Sequence, residues 1–347
     1  KLPILARMLG YLLTDGSAII RAPDSTPHVG FTFGSKIGCE EFLEDIKILG
    51  FDCNKVQFTE SDTWGCGYQI CYENAFASLL ISLSGNYVGK RTVIDSVPIP
   101  EWIMNGTWLV KREFLSGFQG GDGCKIRCNV SKKNKTNYVL NYTTQTKKKE
   151  NVESLENVMN QLKSLFQEFG IVCSIPIVKK SAHGNDRFTV SLPFSNTQEN
   201  LVKYFEIIGW RYDNFKLRDS LPVYEYINFV RALQKNVQLE RDLVLETRLS
   251  STNNISVAKK LKIPESTVNT HIRSYREGRK PRIPNNSMTY TEWLTKIEMK
   301  ENAVFVHVAS VTPMDNVAIA DITTASECHS FITGEGICVH NSSMGKQ

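Results

Sequence analysis

The chain has 347 residues, 41% of them hydrophobic, and its 41 Lys+Arg against 36 Asp+Glu leave a formal net charge of +5. That apolar share excludes a disordered chain, and at about 150 residues per domain the length calls for two or three domains. No apolar run approaches the roughly 20 residues needed to span a bilayer, so no membrane partner is expected. Nine cysteines without a CxxC pair at zinc spacing read as reduced thiols of an intracellular protein.

The predicted elements come twice. Residues 9–16 (LGYLLTDG) and 116–123 (SGFQGGDG) each close an apolar helix on an Asp-Gly pair, so Gly10 matches Gly117 and Asp15 matches Asp122. Strands are expected next at 28–33 and 138–143. Amphipathic helices follow at 39–49, with Phe42, Ile46 and Leu49 on one face, and at 154–169, with Val158, Leu162 and Leu165. Two strands then come in each copy (55–59 and 67–72; 175–179 and 187–192), and a further helix (74–83; 197–208). Gly50-Phe51-Asp52-Cys53 matches Gly170-Ile171-Val172-Cys173, and residues 95–103 (DSVPIPEWI) match 219–227 (DSLPVYEYI) without a gap. The offsets are 122 − 15 = 107, 170 − 50 = 120 and 219 − 95 = 124. A growing offset marks a duplicated unit with extra residues in the Lys-rich stretch 131–150, which is expected as a loop. Each unit reads αββαββα, and the fold class is α+β.

A single Asp-Gly pair after a helix is an ordinary stop signal. Two at equivalent positions carry more. Gly10 and Gly117 lie on the apolar faces of their helices, where a missing side chain lets backbones approach. If the helices pair about a pseudo-twofold axis, Asp15 and Asp122 meet at the negative ends of two helix dipoles and repel. A divalent cation removes that conflict, and hard oxygen ligands suit Mg²⁺.

These two segments, LARMLGYLLTDG and REFLSGFQGGDG, resemble the signature helices of the LAGLIDADG homing endonucleases over about residues 1–235. The resemblance implies a pseudo-symmetric LAGLIDADG fold, in which Asp15 and Asp122 are catalytic metal ligands and a saddle of strands reads double-stranded DNA. It also implies a basic residue near each centre. Lys90 occupies that region of the first copy. Its ungapped equivalent, 90 + 124 = 214, is Asn214, with Lys216 two residues later.

Between residues 251 and 285 eight Lys/Arg face two acids, a local charge of 8 − 2 = +6. Within it, ISVAKKLKIPESTVNTHIRSYRE (255–277) places Val257, Ala258, Leu261, Ile263, Val268, Ile272 and Tyr275 as the apolar positions of two short helices with a turn at Lys262-Ile263-Pro264. This is similar to a helix-turn-helix of the resolvase or homeodomain type. Ser266, Thr267, Asn269, Thr270, Arg273 and Arg276 would then face DNA, with the cations on phosphates.

The tail is β-rich, with alternating Val304, Val306 and Val308, then Val317, Ile319 and Ile322. In His340-Asn341-Ser342 the Asn amide can attack its own carbonyl, a histidine can donate to the leaving amine, and the next hydroxyl can accept an acyl group. Preceded by Asp321-x-Thr323, His329-Ser330-Phe331 and Gly336-Ile337-Cys338-Val339, the triplet resembles the C-terminal motifs of an intein of the Hedgehog/intein fold. On that resemblance Asn341 cyclises, His340 and His329 assist, Asp321 is the motif's acid and Ser342 is the acyl acceptor. The final SSMGKQ resembles the second-largest subunit of a cellular RNA polymerase, the expected host.

The expected organisation is a first LAGLIDADG repeat at 1–110, a second at 111–235, a helix-turn-helix at 245–285, a splicing segment at 300–341 and host sequence at 342–347. The chain starts directly at the first signature helix and holds no TxxH, so it reads as part of a precursor whose N-terminal splicing half and host exteins are its partners. A monomer is expected, in the nucleus if the host is eukaryotic. The rival readings are a polymerase subunit known through its host, and a degenerate insertion that binds DNA without cutting.

Overall fold

The computed structural model describes residues 1–20, 26–51, 56–61, 65–130, 136–182, 186–280, 282–283, 287–300, 303–305, 330–332 and 338–340. Lys1–Val306 forms one compact unit and His307–Gln347 another. In the larger unit the first copy runs α1 (Leu2–Asp15), β1 (Gly16–Ile19), β2 (His28–Phe33), α2 (Lys36–Leu49), β3 (Val56–Ser61), β4 (Gly65–Glu73) and α3 (Asn74–Leu83). The strands form an antiparallel sheet in the order β1-β2-β4-β3. Alternation sets its inward face: Val29, Phe31 and Phe33 of β2 are buried. They stack on α1 and α2 through an aromatic cluster in which the Tyr11 and Phe33 rings lie 5.1 Å apart and those of Phe31 and Phe42 4.4 Å apart.

The second copy follows a short α4 (Glu101–Met104). It comprises α5 (Trp108–Asp122), a hairpin of β5 (Arg127–Val130) and β6 (Thr136–Val139), then β7 (Tyr142–Lys148), α6 (Val152–Glu168), β8 (Ile177–Lys180), β9 (Arg187–Pro193) and α7 (Gln198–Lys203), which widens into a π-helical turn at Tyr204–Ile208. The sheet order is β7-β9-β8, with β5-β6 separate. The expected strand at 138–143 straddles the break between β6 and β7, and part of the stretch expected as a Lys-rich loop is the strand β7. That strand's inward positions are polar: Thr143, Gln145 and Lys147 are all buried.

The gapless pair 95–103 and 219–227 folds in two ways. Pro98 and Pro100 both lack an N–H and bar the residue before them from helical geometry, so the first copy stays extended until α4. In the second copy Tyr224 replaces the later proline, and the chain forms α8 (Asn214–Leu249), 36 residues with Pro222 inside. The expected boundaries at 235 and 245 therefore fall within one helix. After it come α9 (Asn254–Leu261), α10 (Glu265–Arg276), α11 (Tyr290–Leu294) and a hairpin of β10 (Glu298–Lys300) and β11 (Ala303–Phe305). The described part of the smaller unit is β12 (Ser330–Ile332) paired with β13 (Cys338–His340). Among the described residues no helix is long and apolar enough to cross a membrane. Cys39, Cys71, Cys124, Cys128 and Cys173 form no disulfide.

α1 and α5 pack face to face along their glycines. A Cβ on Gly10 would stand 2.2 Å from the Phe114 carbonyl oxygen, and one on Gly117 would stand 2.0 Å from that of Arg7. Beside the helix pair lies a buried ionic cluster. Arg7 donates Nε to Asp45 at 2.6 Å and Nη1 to Glu113 at 3.0 Å. Arg211 reaches Glu113 at 3.3 Å and Glu41 at 2.9 Å, and the Tyr212 hydroxyl donates to Asp45 at 2.6 Å. Burial works to raise the Glu113 carboxyl, but Arg211, Arg7 and Arg112 outweigh it and hold it below its usual range. Arg7→Met would leave Asp45 and Glu113, each 3% exposed at the side chain, short of a cation. We expect a loss of about 3–5 kcal/mol, read from the urea midpoint.

Candidate active site

The two acids are the last residues of α1 and α5. Neither following glycine is needed for a left-handed turn, since φ is −95° at Gly16 and −77° at Gly123. Their role is space: a Cβ on Gly16 would stand 2.6 Å from the Leu12 Cα, and one on Gly123 would stand 2.4 Å from the Gln119 carbonyl oxygen. The chain thus folds tightly off each helix end. The two ends meet, because a Cβ on Gly121 would stand 1.9 Å from Thr14 Oγ1 and 3.2 Å from the Asp15 backbone nitrogen.

Cations and amides surround this point. Arg91 donates Nη1 to the Thr14 carbonyl and pairs with Asp122 Oδ2 at 3.1 Å. Gln145 Nε2 donates to the same Asp122 oxygen at 2.6 Å and to the Leu13 carbonyl at 3.1 Å. Lys216 Nζ donates to the carbonyls of Gly120 and Gly121 at 2.6 Å each and pairs with Asp213 at 3.1 Å. Asp122 is 13% exposed at the side chain. Burial pushes its carboxyl up to about 6, against Arg91 and with the help of the Asp15 charge. Asp15 opens onto a cleft of about 460 Å³ beside Ser17, Thr32, Gly34 and Arg91. Desolvation raises its carboxyl too, with Asp213 adding to the rise and Lys216 and Arg91 opposing it.

Four sequence-derived residues, Asp15, Asp122, Gly10 and Gly117, are therefore brought together, and Lys216 joins them. Lys90 does not: its neighbour Arg91 makes the contact to Asp122, and Lys90 is exposed. The offset between the two cations that reach the helix ends is 216 − 91 = 125, one more than the gapless 124. Gln145 and Lys147 were missed because β7 lay in the expected loop; every residue of Thr-Thr-Gln-Thr-Lys-Lys is polar, so no apolar alternation marks the strand. Burial lowers Lys147 to about 8, with Arg91 adding to the effect.

The two carboxylates offer the hard oxygen ligands that a divalent cation takes: desolvation raises both, and the charge of Asp15 adds to the rise at Asp122. Among the described residues no cluster of three or more His, Cys, Asp or Glu could hold a metal by itself. Such an ion would need further oxygens from a substrate or water.

At the other expected site, α9 and α10 are joined through Lys262, itself left-handed at φ 54°. Val257, Val268 and Ile272 pack on Val244 of α8. Tyr275, expected in that small core, is 58% exposed; His271 turns inward instead, its ring 3.2 Å from Glu240. Ser266, Asn269, Thr270, Arg273 and Arg276 are exposed and Thr267 is half-buried. The Asn269 amide oxygen accepts from Asn254 at 2.7 Å. In the tail, His340 closes β13, while Asp321, His329, Asn341 and Ser342 lie outside the described residues.

No family model matches the chain. Among curated proteins it is 27% identical to the tRNA-splicing ligase RtcB of Pyrococcus furiosus over 98% of its own length and 35% of that protein. It is 24% identical to the RNA polymerase subunit Rpo1N of Methanocaldococcus jannaschii over 96% of its length and 22% of that subunit. It is 25% identical to the replication factor C small subunit of the same organism over 98% and 18%. The chain thus spans about a third or less of the curated relatives it matches. Among solved structures, the homing endonuclease I-DmoI, bound to its target DNA with manganese present, aligns over 60% of this chain and 95% of its own at 13% identity and a TM-score of 0.37. The LAGLIDADG meganuclease I-AabMI, bound to uncleaved DNA, aligns over 66% and 92% at 11% identity and a TM-score of 0.37.

Proposed function

We propose that the chain is the endonuclease-bearing part of an intein: a divalent-metal-dependent LAGLIDADG-type homing endonuclease that cuts both strands of a specific DNA site, joined to the C-terminal segment of a protein-splicing domain. The observation that carries the nuclease is the meeting of two helix-terminal acids, forced by glycine contacts, with a separate cation at each helix end. Asp15 and Asp122 would hold the ion, which we take to be Mg²⁺ and which supplies charge neutralisation at phosphate when bound. Arg91 would meet a phosphate oxygen beside Asp122, Lys216 would place its positive charge near phosphate at the other centre, and Gln145 fixes the Asp122 carboxylate. The exposed face of α10 and the local +6 charge hold flanking DNA, with Arg273 and Arg276 on phosphates.

The insertion reading has its own support. The same stretch of 96–98% of this chain matches a minor part of three proteins whose names share no activity. A segment carried between unrelated hosts accounts for that pattern, whereas a ligase would not recur in a polymerase subunit and a replication factor. The host proposed here is the RNA polymerase subunit that SSMGKQ resembles.

Two experiments follow. With Mg²⁺ and duplex DNA spanning the host gene without the insertion, a double-strand cut is expected; binding without cutting would favour the degenerate insertion. In a precursor supplied with an N-terminal splicing half, Asn341→Ala is expected to block release of the downstream segment, and persistent release would exclude Asn cyclisation.

A further inference from the structure

Lys147 has no part in the reading above, and its position is unusual for an ammonium. It is 1% exposed, on the inward face of β7. A charge so placed is held by full hydrogen bonding. Its Nζ donates to the carbonyl of Ile94 at 2.8 Å and to that of Arg91, and the next residue's backbone nitrogen, on Lys148, donates to Thr92 at 3.0 Å. Two successive residues of the second repeat therefore grip 91–94 of the first by three bonds. Arg91 is the residue of that segment whose guanidinium reaches Asp122.

We infer that Lys147 is a positioning residue for Arg91, and that through it the second repeat sets up the cut of one DNA strand only. The inference rests on the nuclease reading. Its basis is the asymmetry of the two centres: Asp122 carries Arg91 and Gln145, whereas Lys216 is fixed separately by Asp213 and the carbonyls of Gly120 and Gly121. Lys147 holds the segment of the first cation and makes no hydrogen bond to the second. Without the ammonium, the carbonyls of Arg91 and Ile94 lose their donor and the segment shifts. A displacement of about 1 Å at a catalytic group costs about 100-fold in rate.

The test uses the whole chain, Mg²⁺ and host-gene duplex labelled on each strand in turn, under single-turnover conditions. Lys147→Met is expected to slow one strand about 100-fold and leave the other unchanged, so that nicked duplex accumulates at unaltered DNA affinity. Arg91→Ala should slow the same strand, and the double variant should be no slower than Arg91→Ala alone. Equal slowing of both strands, slowing of opposite strands by the two variants, or additive effects would each overturn the positioning role. Should Lys147→Met not fold, Lys147→Gln, which keeps a donor of shorter reach, is read the same way. Failure of the unaltered protein to cut would instead remove the nuclease reading and this inference with it.

Discussion

Asp122→Asn is expected to abolish double-strand cutting and, at the same time, to make the protein harder to unfold. Removing a ligand of a catalytic cation forfeits several kcal/mol of transition-state stabilisation, a loss of about 10³-fold or more. The gain in stability has a different origin. Folding lifts the Asp122 carboxyl from 3.8 to about 6, so the folded chain binds that proton more tightly than the unfolded chain does. The stability contributed by the protonated acid is complete below about pH 4 and is lost as pH rises through about 6. At neutral pH the ionised group therefore costs roughly 3 kcal/mol, and a neutral amide in its place recovers most of it. The check is paired: thermal unfolding at pH 5 and pH 8 alongside strand cleavage. Asp122→Asn should melt higher than the parent at pH 8, with the gap narrowing at pH 5. A variant that is both inactive and less stable at pH 8 would mean that Asp122 is a structural acid. This is the pattern expected where function, rather than packing, keeps two carboxylates together.

The second large effect concerns the helix pair. Gly117→Ala places a methyl 2.0 Å from a backbone oxygen of α1 that has no room to retreat, and Gly10→Ala repeats the clash from the other side at 2.2 Å. Overpacking commonly costs 1–3 kcal/mol; against backbone on both helices we expect at least about 3 kcal/mol for each. Gly34→Ala serves as the control, because nothing lies within 4 Å of its added Cβ. Urea midpoints should fall sharply for the first two and barely move for the third. If Gly117→Ala were tolerated as well as Gly34→Ala, the two helices would not be in backbone contact, and the acids would have no reason to meet.

The duplication was legible because its two helices end on the same dipeptide and bury the same small residue, features that local chemistry imposes. The strands β2 and β9 and the helices α2, α3 and α6 likewise followed from periodicity. α8 was not legible: DSLPVYEYI reads like DSVPIPEWI, and the difference between an extended segment and a long helix rests on one proline, Pro100 against Tyr224. Lys147 was hidden by its neighbours. In a run of three lysines the bland reading is a solvated loop, and strand alternation that turns one of them inward shows only once β7 is paired with β9. Arg91 was hidden by a single step in the offset between repeats. His271 and Tyr275 exchanged roles because both lie at helical spacing from Val268, and Glu240 on α8 gives the histidine a partner.

Asp15 and Asp122 together are expected to hold a divalent cation against DNA. Crystals of the chain with its DNA duplex, soaked in Mn²⁺ and measured at the manganese absorption edge, test it directly. Anomalous peaks within ligand distance of both carboxylates are expected; manganese bound to the complex elsewhere, with those oxygens bare, would mean that the two acids do not form the metal site.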